Sequence, residues 1–194
     1  MYRLIIFIGF CLPMVAIGQQ NKKAVEKVSF QMVSSIGIIG GESGVKPGFQ
    51  LIGGISRSGY FAGIGLGYDN YRYRSLPLFA DLRINFTKKQ FAFVYGDLGY
   101  NIPVHIKTDD DLFKTTNLYF GGLYMDVGVG YRHRLNNKNG FLFSLGYSRK
   151  DINNKVVYTY PCFTIPCPES ISYYKYSMGR VVTKLSWEFG STGN

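Results

Sequence analysis

The chain has 194 residues, 46% of them hydrophobic and 18% charged, with 24 Gly, 16 Tyr, 15 Phe and a net charge of +10. That length holds one domain with a sizeable core, and so much apolar content excludes a disordered chain. The basic balance suits lipid phosphate or nucleic acid; no helix-turn-helix, zinc-finger or RNA-binding signature is present, and with the export signal described next the expectation is no nucleic acid, the basic side chains facing lipid head groups or solvent.

The chain opens with "MYRLIIFIGFCLPMVAIGQQ". One basic residue, an apolar run from Leu4 to Ile17, and small residues at Ala16 and Gly18 predict a secretory signal peptide over 1–18, too short and wrongly flanked for a membrane helix. A short segment, 19–27, follows, with weak helical periodicity in "NKKAVEK".

From there the pattern has period two. Alternation predicts eight strands: Val28 to Gly40, Gly48 to Arg57, Tyr60 to Tyr71, Leu76 to Thr87, Phe91 to Pro103, Leu118 to Arg134, Phe141 to Arg149 and Tyr176 to Phe189. An even number of strands near the length a tilted membrane strand needs predicts an all-β, eight-stranded antiparallel transmembrane β-barrel over 28–190, with a tail at 191–194. Ser58-Gly59, Lys88 to Gln90 and Asn136 to Gly140 read as tight turns, while Gly41 to Pro47, Arg72 to Ser75, Val104 to Asn117 and Lys150 to Tyr174 read as the longer loops of the other end. Tight turns at one end and longer loops at the other are the pattern of an outer-membrane barrel with both termini in the periplasm.

Alternation alone does not say which face is inside, because a soluble barrel alternates too. Volume does. The interior of an eight-stranded barrel is just wide enough for side chains to fill, so the bulky parity points away from it. In "YFAGIGLGYDNY" Ala62, Ile64, Leu66 and Tyr68 oppose Gly63, Gly65, Gly67 and Asp69, and in "PLFADLRINF" Leu78, Leu82 and Ile84 oppose Asp81 and Arg83. Charges share the glycine parity: Asp69, Asp81, Arg83, Asp97, Asp126, Arg132, Arg180, Lys184 and Glu188 are all expected inside a narrow lumen, with Asp81/Arg83 and Arg180/Glu188 as structural pairs. A soluble barrel with the opposite facing would overpack its lumen. Phe91, Phe93 and Tyr95 put bulk on the inward parity, so either the register shifts there or these rings plug one end. Tyr71, Tyr100, Tyr119, Tyr131, Tyr147, Tyr158, Tyr160, Tyr173, Tyr174, Trp187 and Phe189 are candidates for interfacial aromatic girdles.

Without Cys11 of the leader, two cysteines remain, Cys162 and Cys167 in "YPCFTIPCPES". An even pair in an exported chain reads as a disulfide, with free thiols and a metal site as alternatives, and the metal site lacks ligands because the only histidines are His105 and His133. His105 with Asp109, Asp110 and Asp111 is the one cluster that bears on catalysis, but no motif fixes a nucleophile beside it; a solvated loop, or a contact with cations or lipopolysaccharide, is the simpler reading. No cofactor is called for.

"LPLFADLRINF", "FAGIGLGY", "GDLGYNIP" and the closing "KLSWEFG" together resemble the small outer-membrane β-barrel proteins of Bacteroidetes often called PorT-like, and more distantly the OmpA/OmpX-type barrels. The resemblance spans Val28 to Gly190 and implies residence in the cell outer membrane. Contact with outer-membrane lipid and lipopolysaccharide follows, as does contact with the assembly machinery and, for PorT-like relatives, participation in a secretion complex. Leu185, Trp187 and Phe189 match the terminal-strand signal that the assembly machinery reads in such barrels, although Gly190 to Asn194 extend past the aromatic. The functional expectation is a non-enzymatic barrel that binds a ligand or partner through its outer loops. The alternative is a rim-site enzyme acting on lipid or peptide.

Overall fold

A computed structural model describes residues 28–42, 44–86, 91–104, 109–110, 115–135, 139–159 and 169–191. The leader, Cys162 and Cys167, and His105 with Asp111 lie outside the described residues.

Among the described residues ten strands follow one another: β1 (Ser29–Gly41), β2 (Gly44–Arg57), β3 (Tyr60–Asp69), β4 (Ser75–Asn85), β5 (Ala92–Pro103), β6 (Asp109–Asp110), β7 (Thr115–Phe120), β8 (Gly122–Arg134), β9 (Asn139–Thr159) and β10 (Glu169–Ser191). β1 to β5, β8, β9 and β10 pair antiparallel in that order, and β10 returns to β1 through a register running from Phe30↔Ser191 to Gly40↔Val181. The protein is a closed, eight-stranded antiparallel barrel. Closure leaves no unpaired edge around the wall, the condition for a sheet to sit in hydrocarbon.

At one end the connections are tight. Arg57 pairs with Tyr60, and Ser58 and Gly59 between them have φ of 51° and 85°, the two positive values of a type I′ hairpin. The other end departs from the sequence expectation in three places. The first hairpin is short: β1 and β2 stay paired up to Gly41↔Gly44, where a loop to Pro47 was expected. The segments read as loops around Lys150 and Tyr174 are strand, so β9 and β10 remain paired from Asn139↔Phe189 to Thr159↔Glu169. Since β1 leaves β10 at Gly40↔Val181, the twelve residues of β10 from Glu169 to Arg180 rise above the wall, roughly 40 Å of strand at ~3.3 Å per residue. Third, the single strand expected over Leu118 to Arg134 is two, because pairing with β9 passes from Phe120↔Asn153 to Tyr124↔Lys150 and leaves one extra residue on the β7–β8 side. That is a β-bulge. Gly121 and Gly122 permit it: a Cβ there would lie 2.1 Å from the Asn101 carbonyl oxygen and 2.7 Å from that of Asp151. β7 then joins β9, β10 and the two-residue β6 in a sheet projecting past the rim.

The wall is turned as the side-chain volumes require. Leu82 is 61% exposed and its neighbour Arg83 6%; Ile64 is 73% exposed, whereas Asp81 is fully buried. Between Arg57 and His133 at the tight-turn end and Arg149 at the other, the outward positions of all eight wall strands carry no charged side chain. Such an apolar belt suits acyl chains and not water. Tyr100, Tyr131, Tyr147 and Phe189 are exposed on it, and Trp187 sits edge-on to Phe141 with centroids 4.4 Å apart. Tyr71, expected in a girdle, is instead buried inside the loop end of the barrel. Tyr119 packs against that same inner cluster, while Tyr173 and Tyr174 stand on the projecting strand beyond the belt.

Candidate functional site

Inside the wall, rings and charges share a narrow space. Phe93 and Tyr95 do plug it, with no shift of register: β4, β5 and β8 pair continuously through them. They fit because glycines face them. A Cβ on Gly130 would fall 2.2 Å from Phe93, one on Gly146 2.2 Å from the Tyr95 hydroxyl, and one on Gly65 2.5 Å from Phe79. Large side chains on one strand over none on the next is how a small barrel fills its taper. Phe91, the third ring, is half exposed at the rim and pairs with Tyr131 at 5.8 Å.

The charges lie in three tiers along the lumen. Nearest the tight turns, Arg83 grips Asp81 with Nη2 2.7 Å and Nε 3.0 Å from its oxygens. Arg132 Nε lies 3.0 Å from Glu188 Oε2, but neither atom has a hydrogen-bond partner, so this is an ion pair without hydrogen-bond alignment. The ring of Phe93 lies against both guanidinium groups, at 5.8 and 6.0 Å. In the middle tier Lys184 Nζ sits 2.8 Å from Asp126 and 3.5 Å from Asp97. Tyr95 and Tyr124 donate to Asp126 at 2.9 and 3.4 Å, and Gln50 donates to the Tyr124 hydroxyl at 2.9 Å. In the tier nearest the loops Arg180 donates to Asp69 and, at 2.8 Å, to Ser148. Lys150 Nζ lies 3.2 Å from Asp69 and donates to Ser75 and to the Tyr73 carbonyl at 3.0 and 2.9 Å.

Every lumen residue expected from the sequence is therefore inside, but the partners differ. Arg180 and Glu188 do not pair: they are eight positions apart on β10, roughly 26 Å at ~3.3 Å per residue. Their partners, Asp69 and Glu188's Arg132, come from β3 and β8. Lys150 was missed. It follows Ser144, Gly146 and Ser148 on the inward parity of β9, and continuing that alternation past Arg149 would have found it. Asp81, Asp97, Asp126, Asp69 and Glu188 stand against Arg83, Arg132, Arg180, Lys184 and Lys150, so the lumen is neutral as a whole. By tier it is not: the loop-side tier has two cations for one carboxylate, the middle tier two carboxylates for one cation.

The empty space left between these tiers, bounded by Gln50, Asp69, Tyr124, Asp126, Arg180 and Lys184, is about 30 Å³. That is room for a water or two. Leu185, Trp187 and Phe189 all face out from β10, opposite the lumen set. Asp109 and Asp110 form β6 against β7.

No protein-family model and no curated protein sequence matches the chain. Among solved structures the outer membrane protein OprG from Pseudomonas aeruginosa superposes with a TM-score of 0.51 at 8% identity, covering 87% of this chain and 98% of that one. The fold is that of a small outer-membrane barrel. The outer membrane protein AlkL, solved in lipid bilayers, aligns with a TM-score of 0.45 at 10% identity, over 90% of this chain and 95% of its own.

Proposed function

We propose that the protein is a non-enzymatic outer-membrane barrel whose wall anchors the β6–β7–β9–β10 sheet outside the cell, where that sheet binds a ligand or a partner protein. The observation that carries this reading is the contrast between the two parts. The lumen is packed with rings and ion pairs, and the cavity between its middle and loop-side charges is about 30 Å³, whereas the projecting sheet exposes Phe120, Ile171 and Tyr173 beyond the apolar belt, Tyr173 by 76%. A plugged barrel has little to do as a pore; an exposed apolar and aromatic patch above the membrane is suited to recognition. The PorT-like resemblance supports a finer version in which the partner belongs to an envelope secretion complex. In this reading both termini are periplasmic, Leu185, Trp187 and Phe189 serve assembly, and Cys162 and Cys167 form a disulfide in the connection between β9 and β10.

An impermeant maleimide applied to intact cells tests it. Labelling of Cys162 and Cys167 only after an impermeant reductant places the β9–β10 connection outside and disulfide-linked. Labelling without reductant removes the disulfide, and labelling only after lysis inverts the orientation. In planar bilayers the purified protein is expected to show no steady conductance, and a stable ohmic pore would refute the plugged-anchor reading. Crosslinking in detergent, followed by identification of neighbours of the projecting sheet, tests the secretion partner; recovery of the barrel alone would leave that finer version without support.

A further inference from the structure

Where β1 leaves β10 above Gly40↔Val181, the wall opens into a cleft of about 430 Å³. Gly40, Glu42 and Gly179 line its sides, and Tyr71, Arg72 and Arg180 also face it. Next to it on the outer wall an apolar groove of about 660 Å³ crosses β1 and β10 and reaches β2 and β9, formed by Ile36, Ile38, Pro47, Phe49, Phe143 and Leu185. Ile36↔Leu185, Ile38↔Thr183 and Gly40↔Val181 are successive outward pairs, so the groove leads into the cleft.

Beside the cleft one buried donor is unused. Arg180 is 2% exposed, and two of its nitrogens hold Asp69 and Ser148, but its Nε has no partner. Lys150 shares the same Asp69, and the carboxylate that balances the second cation is Asp126, across the small cavity that it and Arg180 both line; on the surface Glu42 offsets Arg72. A buried guanidinium donor left unused is costly unless an acceptor completes it.

We propose that the groove and cleft together seat one membrane lipid with an anionic phosphate headgroup: an acyl chain lies along Ile36, Ile38 and Leu185, and the phosphate enters the cleft toward Arg180. The apolar stretch gives hydrophobic contact, and the headgroup phosphate supplies the acceptor that Arg180 Nε lacks, as a charge-assisted hydrogen bond. This proposal rests on the membrane reading above and adds a specific lipid site to it.

The test uses the full chain in vesicles of phosphatidylcholine containing a few percent of photoactivatable phosphatidylglycerol, with photoactivatable phosphatidylcholine of the same chains as the comparison. Crosslinks are expected on β1 and β10 peptides, about tenfold more for the anionic lipid, the discrimination expected of one buried charged hydrogen bond, and competed by unlabelled phosphatidylglycerol but not by glycerol phosphate. Gly40→Leu is expected to bring the signal down to the phosphatidylcholine level by filling the cleft, since a Cβ there meets nothing within 4 Å and the wall is undisturbed. Arg180→Gln is expected to do the same by removing the charge. Equal crosslinking of the two lipids, crosslinks spread around the barrel, displacement by glycerol phosphate, or full signal in Gly40→Leu would each overturn the site. A heat-modifiable gel band in every sample shows that the barrel has inserted, so failure of the membrane reading, with the protein left unfolded or in the aqueous phase, is distinguishable from failure of the site.

Discussion

Removing Arg83 from the lumen isolates the energetic logic of the interior. Asp81 is fully buried and receives three hydrogen bonds from the one guanidinium. In Arg83→Leu that carboxylate remains enclosed, with Asp97 as its direct neighbour across the β4–β5 pairing and no cation of its own. Breaking a buried pair from one side costs about 3–5 kcal/mol, and the contacts of Arg83 with the Phe61 and Phe93 rings, at 5.3 and 5.8 Å, are lost as well. The double variant Asp81→Leu/Arg83→Leu removes the orphan with its partner and is expected within about 1 kcal/mol of the parent, because apolar replacement of a whole buried pair is near neutral. The coupling energy is then about 2 kcal/mol or more. Trp187 is the single tryptophan and lies between the rings of Phe141 and Phe189, so its fluorescence follows urea unfolding from vesicles without a label. A loss below about 1 kcal/mol in Arg83→Leu, or a double variant as unstable as the sum of the singles, would refute the claim that the pair is structural.

Two further outcomes follow from the geometry. Gly130→Leu is expected to destabilise the barrel by about 1–3 kcal/mol through overpacking, because its Cβ would sit 2.2 Å from Phe93 and that ring is held between two guanidinium groups; combining it with Phe93→Ala should recover part of the loss in the same urea assay, and a fully tolerated Gly130→Leu would show that the ring is not seated there. Above the apolar belt, burial works against ionisation of Asp151, yet hydrogen bonds from Ser177 and Lys175 and the charge of Lys175 hold its carboxyl below the usual range. A carboxylate with a lowered folded value stabilises above its unfolded pKa of about 4 and loses that contribution as pH falls through the lowered value. Lys175 and Arg149 are 63% and 45% exposed, which keeps the effect below about 1 kcal/mol. Hydrogen-exchange protection of residues 153–159 and 169–176, measured against the intrinsic rate at each pH, should fall in acid, and Asp151→Asn should remove that dependence; an unchanged acid response in the variant would assign it elsewhere.

Several features were legible in the sequence because they are properties of one strand at a time. Leu82 beside Arg83, and Ile64 between Gly63 and Gly65, carry the facing of the wall in their own volumes. Lys150 was obscured by the end assigned to its strand, since Arg149 and Asp151 flank it with charge and mask the alternation. The extra residue at Gly121–Gly122 is silent in the sequence: a bulge is a mismatch between two strands, and one strand's pattern contains no count of the other's residues. Tyr71 illustrates the same limit, because its ring turns inward over Gly41 only after the β3–β4 connection folds back on the rim.

By itself, then, the sequence determined the period, the number of strands in the wall and which parity faces outward, since an eight-stranded lumen is too narrow to admit the bulky set. Tertiary structure alone decided which charge meets which. Arg180 lies on the same strand as Glu188 yet binds Asp69 on β3, because the wall brings strands distant in the chain to one height and separates residues of one strand by its length. The cleft beside Gly40 also belongs to that level, for it exists only where two strands from opposite ends of the chain meet and then part.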